Sequence, residues 1–164
     1  MKVLLDTNVI VDVLQHREPW NRTGERLFDG AARHSFTGCI TAKEVTDIHY
    51  LTRKIFCGQP HSDALARDVL KSLFSLFEVL DTCADDCKNA VLSDCPDYED
   101  AVMIQTALRS GIDCIVTRNT KDFAPSLIPV FSPGAFLEKL DRMEESGSST
   151  QENRTVPPAE TDNH

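Results

Sequence analysis

Val3-Leu4-Leu5-Asp6-Thr7-Asn8-Val9-Ile10 is the stretch on which the fold turns. Its three leading apolar residues read as a short buried strand, and Asp6-Thr7-Asn8 reads as the turn and helix start that ends it. Residues 9–14 then predict a helix, broken near Glu18-Pro19. A strand that runs straight into a helix is half of a parallel-sheet unit, and the rest of the chain repeats the alternation.

Working outward, Trp20, Leu27, Phe28, Ala31 and Ala32 recur roughly at helical spacing, and 36–40 reads as a second strand. Residues 41–56 predict a helix with Val45, Ile48, Leu51 and Ile55 as its apolar stripe. Ser62 is the expected N-cap of a helix through Phe77, with Leu65, Val69, Leu73 and Phe77 on one face. Glu78-Val79-Leu80 is a third strand and 84–93 a short polar helix. Pro96-Asp97 caps a helix from Tyr98 that stops at Gly111. A fourth strand over 114–117, a weak fifth at Ile128-Pro129-Val130, and a last helix from Pro133 to about Met143 complete the pattern. This predicts an α/β fold: a short parallel sheet of four to five strands with helices on both faces. Length alone suggests one domain, over 1–143. Residues 144–164 are mostly polar, rich in Ser, Thr, Asn, Glu and Pro with one valine, which predicts a disordered acidic tail.

Composition excludes several classes. The 164 residues are 41% hydrophobic and 26% charged, enough to bury a core. No apolar run approaches the roughly 20 residues that span a bilayer, and an acid interrupts the N-terminal apolar run too early for a signal peptide. A cytoplasmic location with no membrane contact is the expectation. Six cysteines are then expected as thiols. Cys83 and Cys87, with Cys95 nearby, have the spacing of half a metal site. No second Cys/His pair follows, so small buried hydrophobes are the plainer reading. Net charge is −9, of which the segment from Asp141 onward carries −4. An acidic body argues against loose, charge-driven binding of nucleic acid. It is compatible with an enzyme whose acids gather at a cation site.

In open parallel sheets, ligands bind outside the carboxyl ends of the strands. Asp6 lies at the end of the first strand. Thr41 follows the second and opens a helix bearing Glu44 and Asp47. Asp97, Glu99 and Asp100 start the helix before the fourth strand, and Thr117-Arg118-Asn119-Thr120-Lys121-Asp122-Phe123 follows that strand. Four segments thus deliver acids to one edge. Carboxylates brought together need a cation among them, and hard oxygen donors suit Mg²⁺ or Mn²⁺. Thr41-Ala42-Lys43-Glu44 also fits a capping box, which favours Glu44 as a cap; Asp47 has no capping duty. Lys43, Arg53 and Lys54 either face phosphates or form a solvated helix face. Glycine-rich phosphate loops and nucleophile elbows are absent from the sequence.

These residues are familiar. Leu4-Leu5-Asp6-Thr7-Asn8-Val9-Ile10 resembles the opening of the PIN domains, the nuclease family that includes VapC-type toxins. Tyr98-Glu99-Asp100-Ala101 and the run from Ile115 through Phe123 resemble that family's later signatures, in the right order, over about residues 1–140. The resemblance implies a Rossmann-like three-layer α/β/α PIN domain with an acidic pocket that binds one or two Mg²⁺ or Mn²⁺ ions and hydrolyses RNA. By position Asp6 matches the first family acid and Asp100 the third. The second, usually a glutamate in a Ser-Ala-x-x-x-x-Glu-like stretch, falls on Asp47 rather than Glu44. The fourth is Asp122 or Asn119. Asn8 and Thr117 are secondary candidates, and Lys43, Arg53, Lys54, Arg118 and Lys121 are candidate RNA-backbone contacts. The resemblance further implies an antitoxin partner and a homodimer. Two other readings stay open: a PIN-fold metal-binding interaction module that has lost turnover, and a receiver-like phosphoacceptor.

Overall fold

The computed structural model describes residues 1–148. Its elements alternate: β1 (Lys2–Leu5), α1 (Thr7–Leu14), α2 (Trp20–Ala32), β2 (Thr37–Thr41), α3 (Ala42–Ile55), α4 (Ser62–Leu76), β3 (Glu78–Leu80), α5 (Ala84–Ala90), α6 (Tyr98–Arg109), β4 (Cys114–Val116), β5 (Val130–Phe131) and α7 (Pro133–Ser148). The five strands form one parallel sheet in the order β3-β2-β1-β4-β5. In a receiver-like sheet β1 would neighbour β3; here its neighbours are β2 and β4, as in the dinucleotide-binding order. The β1 register pairs Leu4 with both Cys39 and Ile115, and Leu5 with Val116.

Alternation along β1 explains the three layers. Val3 and Leu5 pack on one face with Val9, Ile10, Leu27 and Phe136, whereas Leu4 packs on the other with Met103, Ile104, Ala107 and Phe123. Both faces are covered by helices, so the apolar run is continuous, as buried parallel strands require. On α2, a Cβ at Gly24 would lie 2.5 Å from Val13 Cγ2, so glycine permits the close crossing of α1. Gly111, at φ +66, takes the left-handed position that ends α6.

Four boundaries differ from expectation for local reasons. His61, at φ 63, caps α4, and Ser62 is its first helical residue; the Leu65 N–H to His61 carbonyl bond of 3.0 Å closes the first turn there. Helix α5 ends at Ala90 rather than 93, because Leu92 and Ser93 bond three residues back in a turn. The fifth strand falls on Val130–Phe131, one or two residues beyond 128–130. Helix α7 continues to Ser148, past the expected start of the tail, with Ser35 Oγ donating to Glu144 at 2.8 Å. The remainder of the expected tail lies outside the described residues. No helix among the described residues is long and apolar enough to cross a membrane.

Candidate acidic active site

Asp6 is fixed before any ligand arrives. It closes β1, its N–H bonded to Val116 O at 3.0 Å, and it caps α1. Its carboxylate accepts from Asn8 N–H at 3.4 Å, from Asn8 Nδ2 and from Thr117 Oγ1 at 2.6 Å. A carboxylate offers about four lone-pair sites, so one direction remains for a ligand. Asn8 and Thr117 are themselves braced. Asn8 Nδ2 donates to Thr117 Oγ1 at 3.1 Å, Asn8 Oδ1 accepts Arg118 N–H at 3.2 Å, and Thr117 Oγ1 accepts Asn119 N–H at 2.9 Å. Asp6 is 6% exposed, and burial pushes its carboxyl above the usual range despite these donors.

Helix α3 contributes three charged side chains with three different fates. Glu44 makes the capping box: its Oε2 accepts Thr41 N–H at 2.7 Å while Glu44 N–H donates to Thr41 Oγ1 at 3.2 Å. Thr7 Oγ1 adds a bond to Glu44 Oε1 at 3.2 Å. Fully buried and facing the charge of Asp6, Glu44 is pushed up to about 8, burial being the larger cause. Asp47 opens onto the cavity instead and is met by Lys43 Nζ at 2.6 Å. The same ammonium reaches Glu99 Oε2 at 2.8 Å.

The third wall is the start of α6 and the loop after β4. Asp97 accepts the Glu99 and Asp100 N–H groups at 2.7 and 3.3 Å, which commits its carboxylate to capping and leaves Asp100 facing the cavity. Asp100 is pushed up to about 7 by partial burial and then by Asp6, Asp97 and Asp122. Asn119 Nδ2 donates to Asp122, so the two candidates for the fourth position act as a pair. Asp6 and Asp100 line two adjoining cavities of about 260 and 390 Å³, one reaching Asp47 and Glu99, the other Asn119 and Asp122.

This donor set fits a hydrated hard cation. Burial and then the neighbouring carboxylates raise Asp100 against the opposing charge of Lys43, and all the carboxylate donors are oxygen. Among the described residues no three carboxylate, imidazole or thiol groups make a ready cage. Mg²⁺ keeps several waters and needs only one or two carboxylates. The cysteines supply no alternative: all six thiols are free, and burial pushes Cys39 and Cys114 up to about 11.

The basic candidates divide. Arg118 Nε lies 2.7 Å from buried Asp12 and its guanidinium stacks 4.5 Å from the Trp20 ring centroid. It therefore clamps the β4 loop to α1 and α2, and is not the free phosphate contact expected of it. Lys43 is likewise committed, to Asp47 and Glu99. Arg53 and Lys54 line an open groove of about 290 Å³ that shares Tyr50 with the acidic cavity. Lys54 Nζ lies 4.2 Å from the Tyr50 ring. Lys121 joins none of these contacts, and its carbonyl accepts Ala124 N–H at 3.2 Å in a turn. Sequence reasoning missed Asp12, Tyr50 and Thr7. Asp12 left a trace, a charge inside the otherwise apolar run Val9–Leu14; Tyr50 and Thr7 left none.

A family model described as PIN domain matches residues 2–121. Among curated proteins, none matches the chain. Similar solved structures include FitAcB from Neisseria gonorrhoeae, 20% identical over 80% of this chain and 97% of that one, with a TM-score of 0.62. A toxin–antitoxin complex from Klebsiella pneumoniae is 23% identical over 80% and 97%, with a TM-score of 0.57. VapC20 of Mycobacterium tuberculosis, described as a sarcin–ricin loop cleaving toxin, is 18% identical over 69% and 86%, with a TM-score of 0.52.

Proposed function

The chain belongs to the PIN-domain family, and from that premise we propose that it is a divalent-metal-dependent endoribonuclease, the toxin of a toxin–antitoxin pair. The observation that carries this reading is the convergence of Asp6, orientated by Asn8 and Thr117, with Asp100 on one solvent-accessible cavity. The toxin–antitoxin complex and the loop-cleaving toxin that share its fold support it.

Asp6 and Asp100 would hold the ion, directly or through its waters, while Asp47 and Asp122 would complete the pocket. When bound there, Mg²⁺ or Mn²⁺ supplies a water of lowered pKa and neutralises charge on the phosphate. Asn8 and Thr117 keep the free lone pair of Asp6 aimed into the cavity. Asn119 orients Asp122. Arg53, Lys54 and Lys121 position the RNA backbone without reading its sequence, and the exposed Tyr50 ring offers a stacking face between the groove and the cavity. No side-chain nucleophile is required. A partner antitoxin that inserts a basic side chain complements the acidic cavity, and we assign the chain to a homodimer in the cytoplasm on the family reading alone.

Cleavage of a mixed tRNA and mRNA pool with Mg²⁺, Mn²⁺ or EDTA tests this, wild type beside Asp6→Asn. Metal-dependent fragments that fall by about 10²–10³-fold in the variant, at unchanged circular dichroism, are the expected outcome. Equal turnover by both proteins would sink the assignment. A second reading, a metal-binding interaction module without turnover, draws on the ion pair that ties Asp47 to Lys43; tight metal binding by a folded protein that cleaves nothing would favour it.

A further inference from the structure

The fold places a cation inside the acidic cavity. Lys43 Nζ sits 2.6 Å from Asp47 Oδ2 and 2.8 Å from Glu99 Oε2, with the lysine side chain only 25% exposed. Helix energetics do not account for this position. Lys43 is the second residue of α3, where a cation opposes the positive end of the helix dipole. It also precedes Asp47 by four residues, the weaker order for an ion pair along a helix. Glu99 comes from α6, so the ammonium bridges two walls of the cavity. Lys43 acts electrostatically on both Asp6 and Asp100, favouring their charged forms.

Resting on the reading of Asp6 and Asp100 as the metal site, we propose that Lys43 is the chain's own second cation. Its ammonium holds the space between Asp47 and Glu99 against a second divalent ion, and the pocket loads one. An ammonium neutralises charge but activates no water, so the chemistry depends on the ion at Asp6 and Asp100.

Calorimetric titration of the full chain with Mn²⁺ alone tests this, using wild type, Lys43→Met, Lys43→Gln and Asp6→Asn, with circular dichroism as the check on folding. Wild type is expected to bind one ion. Either Lys43 variant is expected to bind a second, through the released Asp47 and Glu99, and to lose it again when Glu99→Gln is added. Two ions in the wild type, or one ion in both Lys43 variants, would overturn the proposal. The underlying reading fails separately, if Asp6→Asn titrates like the wild type or the wild type binds no Mn²⁺. Loss of binding in Asp6→Asn with unchanged stoichiometry in both Lys43 variants rejects Lys43's role alone.

Discussion

Asp6 carries three donors on a carboxylate that burial already makes costly to ionise. Asn8 and Thr117 act on the reaction through it, by fixing which lone pair is free, and also tie down the loop after β4. Replacing Thr117 with Val, or Asn8 with Ala, therefore releases Asp6 without removing a ligand. Each is expected to lower kcat by about 10-fold or more, the usual cost of losing the partner of a metal ligand, while KM for RNA stays near wild type. Steady-state kinetics on one defined RNA checks this, and a change confined to KM would reassign both residues to substrate binding. Asp6 itself was legible as a charge ending an apolar strand. The brace was less so, since Thr117 stands 111 residues away and no local pattern joins the two. Glu44 shows the reverse case, a short-range capping signature that the structure reproduces bond for bond.

Among elements, α5 and α6 meet through the apolar cluster of Ala90, Ala101 and Val102 and are joined by one charged contact. Arg109 Nε and Nη2 each approach Asp86 at 2.9 Å, and Thr106 Oγ1 adds a bond at 3.2 Å. Asp86 is 2% exposed, and the Arg109 guanidinium is the largest influence holding its carboxyl down at about 2. Truncation to Asp86→Ala is expected to cost about 1–3 kcal/mol, the penalty for leaving its hydrogen-bond donors unmet while the half-exposed Arg109 returns to water; urea denaturation at neutral pH measures it. The folded pKa lies below the unfolded one, so this stabilisation is present above about pH 4 and fades as pH falls toward 2. The variant and the wild type should converge in acid. Both helices were legible here, one as a short polar segment and the other from its Pro96-Asp97 cap, but the end of α5 was not. Its last three expected residues are polar or exposed, and only the turn bonds at Asn89 and Ala90 decide where the helix stops.

For the whole molecule, the acidic cavity is a liability until a cation enters it. Asp100 and Glu44 are pushed up to about 7 and about 8, so the folded chain holds protons that the unfolded chain would release. Stability in EDTA is then expected to fall as pH rises from about 4 through about 8. Differential scanning calorimetry should show a lower Tm at about pH 8 than at about pH 5, with Mg²⁺ restoring it and Glu44→Gln flattening the slope. A Tm that rises over this interval without metal would contradict the electrostatics described. The layered α/β architecture was readable from β1 outward, because the central strands β1, β2 and β4 are buried apolar runs and the longer helices carry apolar stripes. What the pattern did not disclose was the pairing of charges across elements. Arg118 with Asp12 and Lys43 with Glu99 depend on how helices sit over the sheet. The strand order has a temporal corollary. Because β1 pairs with β4 as well as β2, a chain growing from its N-terminus carries Asp6 from the outset, whereas the hydroxyl that steadies Asp6 follows 111 residues later. On the proposed function, a chain stopped before Thr117 holds Asp6 without the hydroxyl that steadies it, so the site is assembled only when the second half of the sheet is in place.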